Sequence, residues 1–547
     1  MSDITVFIAA AVRTMDESQP TGDAVAVRDG RIVEVGTLES LRPWLERHDH
    51  AIDDRFADRV LLPGFIDPHV HPTMMALLMA TDWLTPEAWE LPGRSIPETD
   101  GRRQYLERVT ELHTARADPE QPLVVFGYHA QYHGEIVRAD LDAISSDRPI
   151  VLWQRSFHEL RCNSRALEWL DAAEGAAWDP HIDLESGRMF ESGMVWGLKV
   201  LSPDLLGRGR LERNLRDFRS LVQAGGVTTI ADAGYGLFDV DFELAVLFEQ
   251  FDRPDTPFTL HLMPNIGRIR QTHPNEDVFE KLAEFSRRGT ERIRFLDSAK
   301  FLADGAFIAQ LMQIGPPGYI DGHNGAWLTE PERLIAQIRP FWERGWDINI
   351  HTNGDVGVDA CLDAISTLLH EQPRFDHRTT LHHFGISTQA QSRRLAALDV
   401  AVQANGYYLY LFGDLFIDEW LGYERASQMT RVGSARRNGA SVAVHSDIPM
   451  GPIAPLLAAS AMATRTTRGG HVLAPAERLS PIDALRSITI EPAYQLRLDH
   501  EVGSLAAGKR ADMVALSDDP LTLDPADWPS ITIAATVLGG IVFPLDA

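Results

Sequence analysis

Eight short apolar runs, most of them separated by stretches of helical periodicity, restrict this chain to one broad class of fold. They are Leu61–His71, Val227–Ala233, Phe258–Met263, Ile293–Phe301, Asp347–Thr352, Thr379–Phe384, Val400–Ala404 and Ser441–Asp447. Between them, Leu211–Ala224, Pro331–Arg344 and Val356–His370 read as helices. Alternating strand and helix is the α/β pattern. Eight such units in roughly four hundred residues predict a closed (β/α)8 TIM barrel more readily than an open sheet. No Gly-x-Gly-x-x-Gly turn follows the first run, which argues against a doubly wound dinucleotide-binding sheet.

The two ends have a different texture. Ile4–Ile8, Ala24–Val27 and Arg31–Val35 are β-rich, and Asp29-Gly30 marks a tight hairpin turn. Asp512–Leu516 and Ile531–Val537 precede a Gly539-Gly540 turn and Ile541–Phe543. Two β-rich ends predict one small sheet domain with a larger domain inserted between them. The long gap after the first run holds strand-like pieces of its own, Leu123–Phe126 and Ile150–Trp153. It reads as an inserted subdomain able to roof a barrel mouth.

Composition removes several functions. The 547 residues suggest two to four folding units, and 44% hydrophobic with 24% charged residues suits a soluble protein with a large core. A formal charge of −27, from 78 acidic against 51 basic residues, speaks against nucleic acid or an anionic membrane as the main partner. Only Cys162 and Cys361 occur, so neither a disulfide framework nor a cysteine zinc knuckle is expected. Met1–Thr5 lacks the basic and apolar segments of a signal peptide, and the apolar run Met74–Ala80 is too short to span a bilayer. A reduced, cytoplasmic setting is the expectation.

The chemistry begins at His69-Val70-His71. In an extended strand residues i and i+2 point to the same face, so the two imidazoles project together, as ligands of one divalent metal must. Ordinary surfaces supply such pairs as well. Later runs, however, also end on metal-competent residues: Lys300, His351, the pair His382-His383, and Asp447 after His445-Ser446. Taken singly, Lys300 reads as a lysine snorkelling from a strand end, His351 and His383 as hydrogen-bonded core histidines, and Asp447 as a turn residue. Taken together, residues at the C-terminal ends of several barrel strands meet at one mouth, where barrel enzymes place their chemistry.

These motifs resemble the amidohydrolase superfamily, specifically its amidohydrolase-3 (YtcJ-like) branch. Leu62–His71 is similar to the family's opening metal motif, Gly226–Thr229 to its second-strand entry, and Lys300 with Asp304-Gly305 to its lysine motif. His351–Asp355 resembles its His-x-x-Gly-Asp element, Ser446–Pro449 its Ser-Asp-x-Pro, and Val502–Met513 the signature of its returning β-domain. The resemblance implies a barrel over residues 59–489 with an insert at about 73–205, and a small β-sandwich assembled from 1–58 and 490–547. It implies two Zn2+ ions, with His69 and His71 on the first, His351 and His383 on the second, and carboxylated Lys300 bridging them. Asp447 is expected both to ligate the first ion and to shuttle the proton while metal-activated water hydrolyses a non-peptide C–N bond. The substrate is expected to be a small N-acyl, N-formyl or cyclic amide, and the assembly a homodimer.

The chain departs from the family's pattern in three places. His382 stands where an acidic residue is usual, His445 where glycine is common, and Ser156-Phe157 where Asp-Gly usually precedes His158. His158, His382 and His445 are therefore expected at the substrate pocket, with a helix-capping loop as the other reading of His158, and packing beside the site or contact with the metal as the other readings of His382 and His445. Two rival functions remain open. One is a mononuclear amidine or heteroaromatic deaminase using His69, His71, His351 and Asp447 without a carbamate. The other is a catalytically silent metal-binding regulatory protein of the same fold.

Overall fold

The computed structural model describes residues 4–118, 120–205, 207–236 and 239–545, with only the backbone of 202–204. Two compact units emerge, one of Met1–His71 with Arg219–Ala547 and one of Pro72–Phe218.

In the first unit the chain's two ends share one seven-stranded sheet. Its order across the sheet is Ile541–Pro544, Ile533–Leu538, Met513–Leu516, His50–Pro63, Ile4–Arg13, Thr21–Arg28 and Arg31–Gly36. Neighbours are antiparallel except Ile4–Arg13 with His50–Pro63, which run parallel. Asp29 and Gly30 lie at φ 50° and 75°, the left-handed pair a two-residue hairpin needs. Strand alternation sorts the apolar side chains onto two faces. One face packs Phe7, Val25, Leu61, Met513 and Val537. The other packs Ile4, Val6, Ala24 and Ala26 against Leu41 and Leu45 of the helix Leu38–Leu45, whose start is fixed by a reciprocal Thr37/Ser40 cap.

The rest of this unit is built on parallel strands. One sheet has the order Ile293–Phe295, Thr259–Pro264, Val227–Tyr235, Phe65–Val70. A second has the order Ser298–Leu302, Asp347–Thr352, Thr380–His383, Ala401–Asn405, Val442–His445. Backbone contacts join the two sheets at both edges. Asp447 N donates to His69 O at 3.0 Å and His71 N to Ile448 O at 3.1 Å, while Asn265 and Lys300 form a parallel bridge at the opposite edge. Helices follow most strands, among them Val240–Phe251, Pro331–Trp342, Asp355–Glu371 and Gln389–Ala397. Asp239 and Thr388 cap two of them through their side-chain oxygens.

Two of the expected strands are divided. Leu61–His71 breaks at Gly64, where a Cβ would fall 2.1 Å from Thr228 Oγ1. Leu61 and Leu62 pair with Ala515 and Val514 in the terminal sheet, whereas Phe65–Val70 joins the parallel strand Val227–Tyr235. Ile293–Phe301 breaks at Leu296-Asp297 because its halves have different partners. Ile293–Phe295 pairs with Leu260–Leu262, and Ser298–Leu302 with Asp347–His351.

The second unit contains a six-stranded sheet ordered Ile182–Asp183, Arg188–Phe190, Glu159–Cys162, Ile150–Gln154, Leu123–Tyr128, Asp82–Trp83. Tyr105, Val109, Leu123, Val125, Ile150 and Leu152 form its core. Arg155 is fully buried and donates to Glu87 at 2.6 Å, so the pair removes a charge that would otherwise be stranded.

Glu501 ties the parallel sheet to the terminal segments. Arg294 donates both terminal nitrogens to its carboxylate, at 2.7 and 3.0 Å, and Arg510 adds a third contact at 3.2 Å. Burial alone pushes the Glu501 carboxyl up, but the hydrogen bonds and charges of the two arginines pull it down to about 2. A depressed carboxyl adds stability above its ordinary pKa and loses it as pH falls through 4.5 towards 2. Glu501→Gln is expected to cost about 1–3 kcal/mol near pH 7. The Tm gap between variant and wild type should narrow as the buffer is acidified; a gap independent of pH would contradict this role.

Candidate metal centre

The C-terminal ends of the parallel strands gather a buried cluster of histidines and carboxylates. His69 lies in Phe65–Val70 and His71 just beyond it; their Nε2 atoms are 3.3 Å apart. Asp447 follows the last strand, and its Oδ1 is 3.3 Å from both Nε2 atoms. The same carboxylate reaches to within 3.6 Å of His383 Nδ1 through Oδ2. Asp447 is held at φ 56°, a left-handed backbone that non-glycine residues rarely adopt. Such strain survives only where surrounding bonds over-determine it, and the 3.0 Å bond from its own N–H to His69 O is one of these.

His382 and His383 show how two consecutive residues reach one centre. In a regular strand they would point to opposite faces. His383 sits at φ 76°, which ends the strand and turns its ring toward the same centre. Its centroid then lies 4.4 Å from His351, 4.7 Å from His69 and 5.1 Å from His445. His382 is deeper: its Nδ1 is 2.6 Å from Lys300 Nζ and 2.7 Å from His69 Nδ1, while its Nε2 meets Asn349 Oδ1 at 2.8 Å. Ser298 in turn bonds Asn349 at 3.0 Å. His351 Nε2 is 3.1 Å from Asn353 Nδ2. The Asp304 carboxylate fixes the loop after His351 by accepting from the N–H groups of Gln313, Asn353 and Gly354 at 2.8–2.9 Å.

Burial sets the charge of this cluster. It pushes His69, His382 and His383 well below the ordinary imidazole range, with neighbouring Lys300 and histidines adding to the effect. His445 falls to about 3, burial outweighing the carboxylate of Asp447. Lys300 is likewise driven far below an ordinary ammonium. His71 is the exception. Burial pulls it down, but its bonds to Asp232 and Asp447 and their charges lift it to about 9. Burial also works to raise Asp447, yet His71 and the other histidines leave it below the usual carboxylate range.

This donor set fits a divalent ion. Buried polar atoms are almost always paired, yet His383 Nδ1 and both ring nitrogens of His445 make no hydrogen bond to the described residues. Among the described residues, two groups have ligand atoms within 4.8 Å of one another: His69, His71 and Asp447, and His69, His383 and His445. The neutral imidazoles of this set with one carboxylate suit zinc and its neighbours, and His71 would give up its proton on ligation.

Of the residues singled out in the sequence, His69, His71, Lys300, His351, His382, His383, His445 and Asp447 stand in or against this cluster. His382 is wholly buried between Lys300, His69 and Asn349. His158 belongs to the second unit, where its Nδ1 lies 3.2 Å from Glu191 Oε1. Sequence reasoning missed Asp232, whose Oδ1 is 3.8 Å from His71 Nδ1, and the ring-holding Asn349. The one available signal for Asp232 was a charge inside an otherwise uncharged strand. No helix among the described residues is long and apolar enough to cross a membrane.

Known proteins resemble this chain in structure or in sequence. A metal-dependent hydrolase from Pyrococcus horikoshii OT3 superposes with a TM-score of 0.73 at 20% identity, over 95% of this chain and 99% of the other. The N-substituted formamide deformylase of Arthrobacter pascens is 26% identical over 99% of this chain and 98% of its own. The YtcJ protein of Bacillus subtilis (strain 168) is 24% identical over 97% of each chain. A model of the amidohydrolase family matches residues 57–543, nearly the whole length, and the chain therefore belongs to the amidohydrolase family.

Proposed function

We propose that this chain, a hydrolase of carbon–nitrogen bonds other than peptide bonds, acts on a small N-formyl, N-acyl or cyclic amide using two Zn2+ ions. The observation that carries the reading is the Asp447 carboxylate, 3.3 Å from two convergent histidine nitrogens within a buried and mostly neutral imidazole cluster. The name of the Arthrobacter relative supports an N-formyl group as the first substrate to try.

In this reading His69, His71 and Asp447 would hold one ion and His351 and His383 the other, and Lys300, once carboxylated, would supply an anionic donor. Bound divalent ions lower the pKa of water and polarise a carbonyl. The remaining work belongs to the protein. Asp447 takes a proton from the attacking water and delivers it to the leaving nitrogen. Asp232 orients the His71 ring, as carboxylates behind metal-bound histidines do. Asn349 fixes the His382 ring, and Asp304 fixes the loop that carries His351.

The same proposal treats the two parallel sheets as one (β/α)8 barrel. Ile293–Phe295 and Ser298–Leu302 share its fourth position, and the seven-stranded sheet folds as a β-sandwich. Support comes from the backbone bonds at both sheet edges and from a site at the strands' C-terminal ends. Buried, unpaired Cys162 and Cys361 suit a cytoplasmic setting. The assembly is proposed to be a homodimer, which a solution mass of one chain would overturn.

The test is metal removal. Exhaustive chelation should abolish hydrolysis of an N-formyl and N-acyl amide panel, and about two equivalents of Zn2+ per chain, added with bicarbonate, should restore it. Full turnover in the chelated protein would sink the reading.

A further inference from the structure

We infer that His445 is a metal ligand, forming with His69 and His383 an all-imidazole face of the site that takes a borderline-soft divalent cation such as Zn2+ or Co2+. The inference rests on the metal-dependent reading above and adds a donor to it.

His445 is the last residue of Val442–His445, in register with Asn405 of the neighbouring strand. It is 1% exposed; its ring approaches the backbone carbonyl of Gln403, but neither ring nitrogen reaches hydrogen-bond geometry with the described residues. Leaving a buried polar atom unmatched costs about 1–3 kcal/mol, so two on one ring call for partners. A cavity of about 10 Å³ lies against His445, Asp67, Tyr407 and Ser446. That volume is near the minimum for a single water. One water can satisfy one nitrogen and link it to the buried Asp67 carboxylate, the arrangement usual behind a metal-bound histidine. The second nitrogen still lacks a partner.

The cluster supplies one. His383 Nδ1 is also buried without a hydrogen bond. The ring centroids of His69 and His445 are 4.5 Å apart, those of His69 and His383 4.7 Å, and those of His383 and His445 5.1 Å. One ligand atom from each of the three lies within 4.8 Å of the others. Three neutral imidazoles with no carboxylate among them select zinc-like ions over Mg2+ or Ca2+, which demand oxygen. In the proposed site His69 belongs to one ion and His383 to the other, so His445 stands where it can add a donor to the ion on either side.

The test is Co2+ and Zn2+ binding by metal-free wild type, His445→Gln and His445→Ala, with circular dichroism as the check on folding. Removing a residue that merely orients a ligand costs about 10–100-fold in affinity. Loss of His445 should therefore weaken binding by more than about 100-fold, change the visible d–d absorption of the Co2+ protein, and in His445→Ala be partly reversed by added imidazole. On the wild type, the Co2+ protein should show one more hyperfine-shifted imidazole N–H resonance than His69, His71, His351 and His383 account for; this arm is independent of how the variants fold. Folded variants with the wild-type spectrum and affinity, or absence of the extra resonance, overturn the inference and leave the metal-dependent reading standing. A wild type that binds neither ion overturns that reading itself.

Discussion

Asp447→Asn should lower kcat by about 10²–10⁴-fold while leaving metal content close to that of the wild type. Asparagine has nearly the shape of aspartate and keeps one carbonyl oxygen where Oδ1 stands, 3.3 Å from His69 and His71. It also keeps the backbone bond from residue 447 to His69 O. It cannot accept a proton, so an interaction made during bond cleavage is lost and one made at rest survives. Asp447→Ala removes both, and should lose bound Zn2+ together with turnover. The comparison separates ligation from proton transfer. Steady-state kinetics with metal analysis on both variants reads it, and an asparagine variant within about threefold of wild-type kcat would remove Asp447 from its proposed role.

The strands and most of the cluster were legible in the sequence because each leaves a local mark. Short apolar runs alternating with helical spacing mark the strands, and metal-competent residues at their C-terminal ends mark the cluster. What stayed hidden depends on partners distant in the chain. Leu61–His71 reads as one strand until Leu61 and Leu62 find the returning C-terminal strand and Gly64 meets Thr228. Ile293–Phe301 divides because its two halves pair with different neighbours. The common destination of His382 and His383 is concealed by the alternation rule itself, which sends consecutive residues to opposite faces. Only the positive φ of His383 reverses that, and side-chain type gives no hint of it. Asp232 offers a similar lesson: it meets His71 only because Val227–Tyr235 lies beside Phe65–Val70.

Lys300→Ala should cost more than about 100-fold in turnover, since even outer-shell losses at metal sites cost about 10–100-fold. Short carboxylic acids such as acetate or propionate should restore part of it. An ammonium cannot bind a cation, and burial drives Lys300 far below its ordinary pKa, which favours the neutral amine. Its Nζ is 2.6 Å from His382 Nδ1, at the centre of the histidine cluster. A neutral amine adds carbon dioxide: a bond forms from Nζ to carbon, one proton leaves, and an anion with two donor oxygens results. The peptide bearing Lys300 should then be heavier by one CO2 in native mass spectrometry and return to its plain mass on acidification. Chelated protein should regain activity with Zn2+ only when bicarbonate is present, because the anionic donor on Lys300 would have to be rebuilt for the site to hold its ions. Full recovery in CO2-free buffer, or full activity of Lys300→Ala without added acid, would show that the two ions, if both are present, need no carbamate between them.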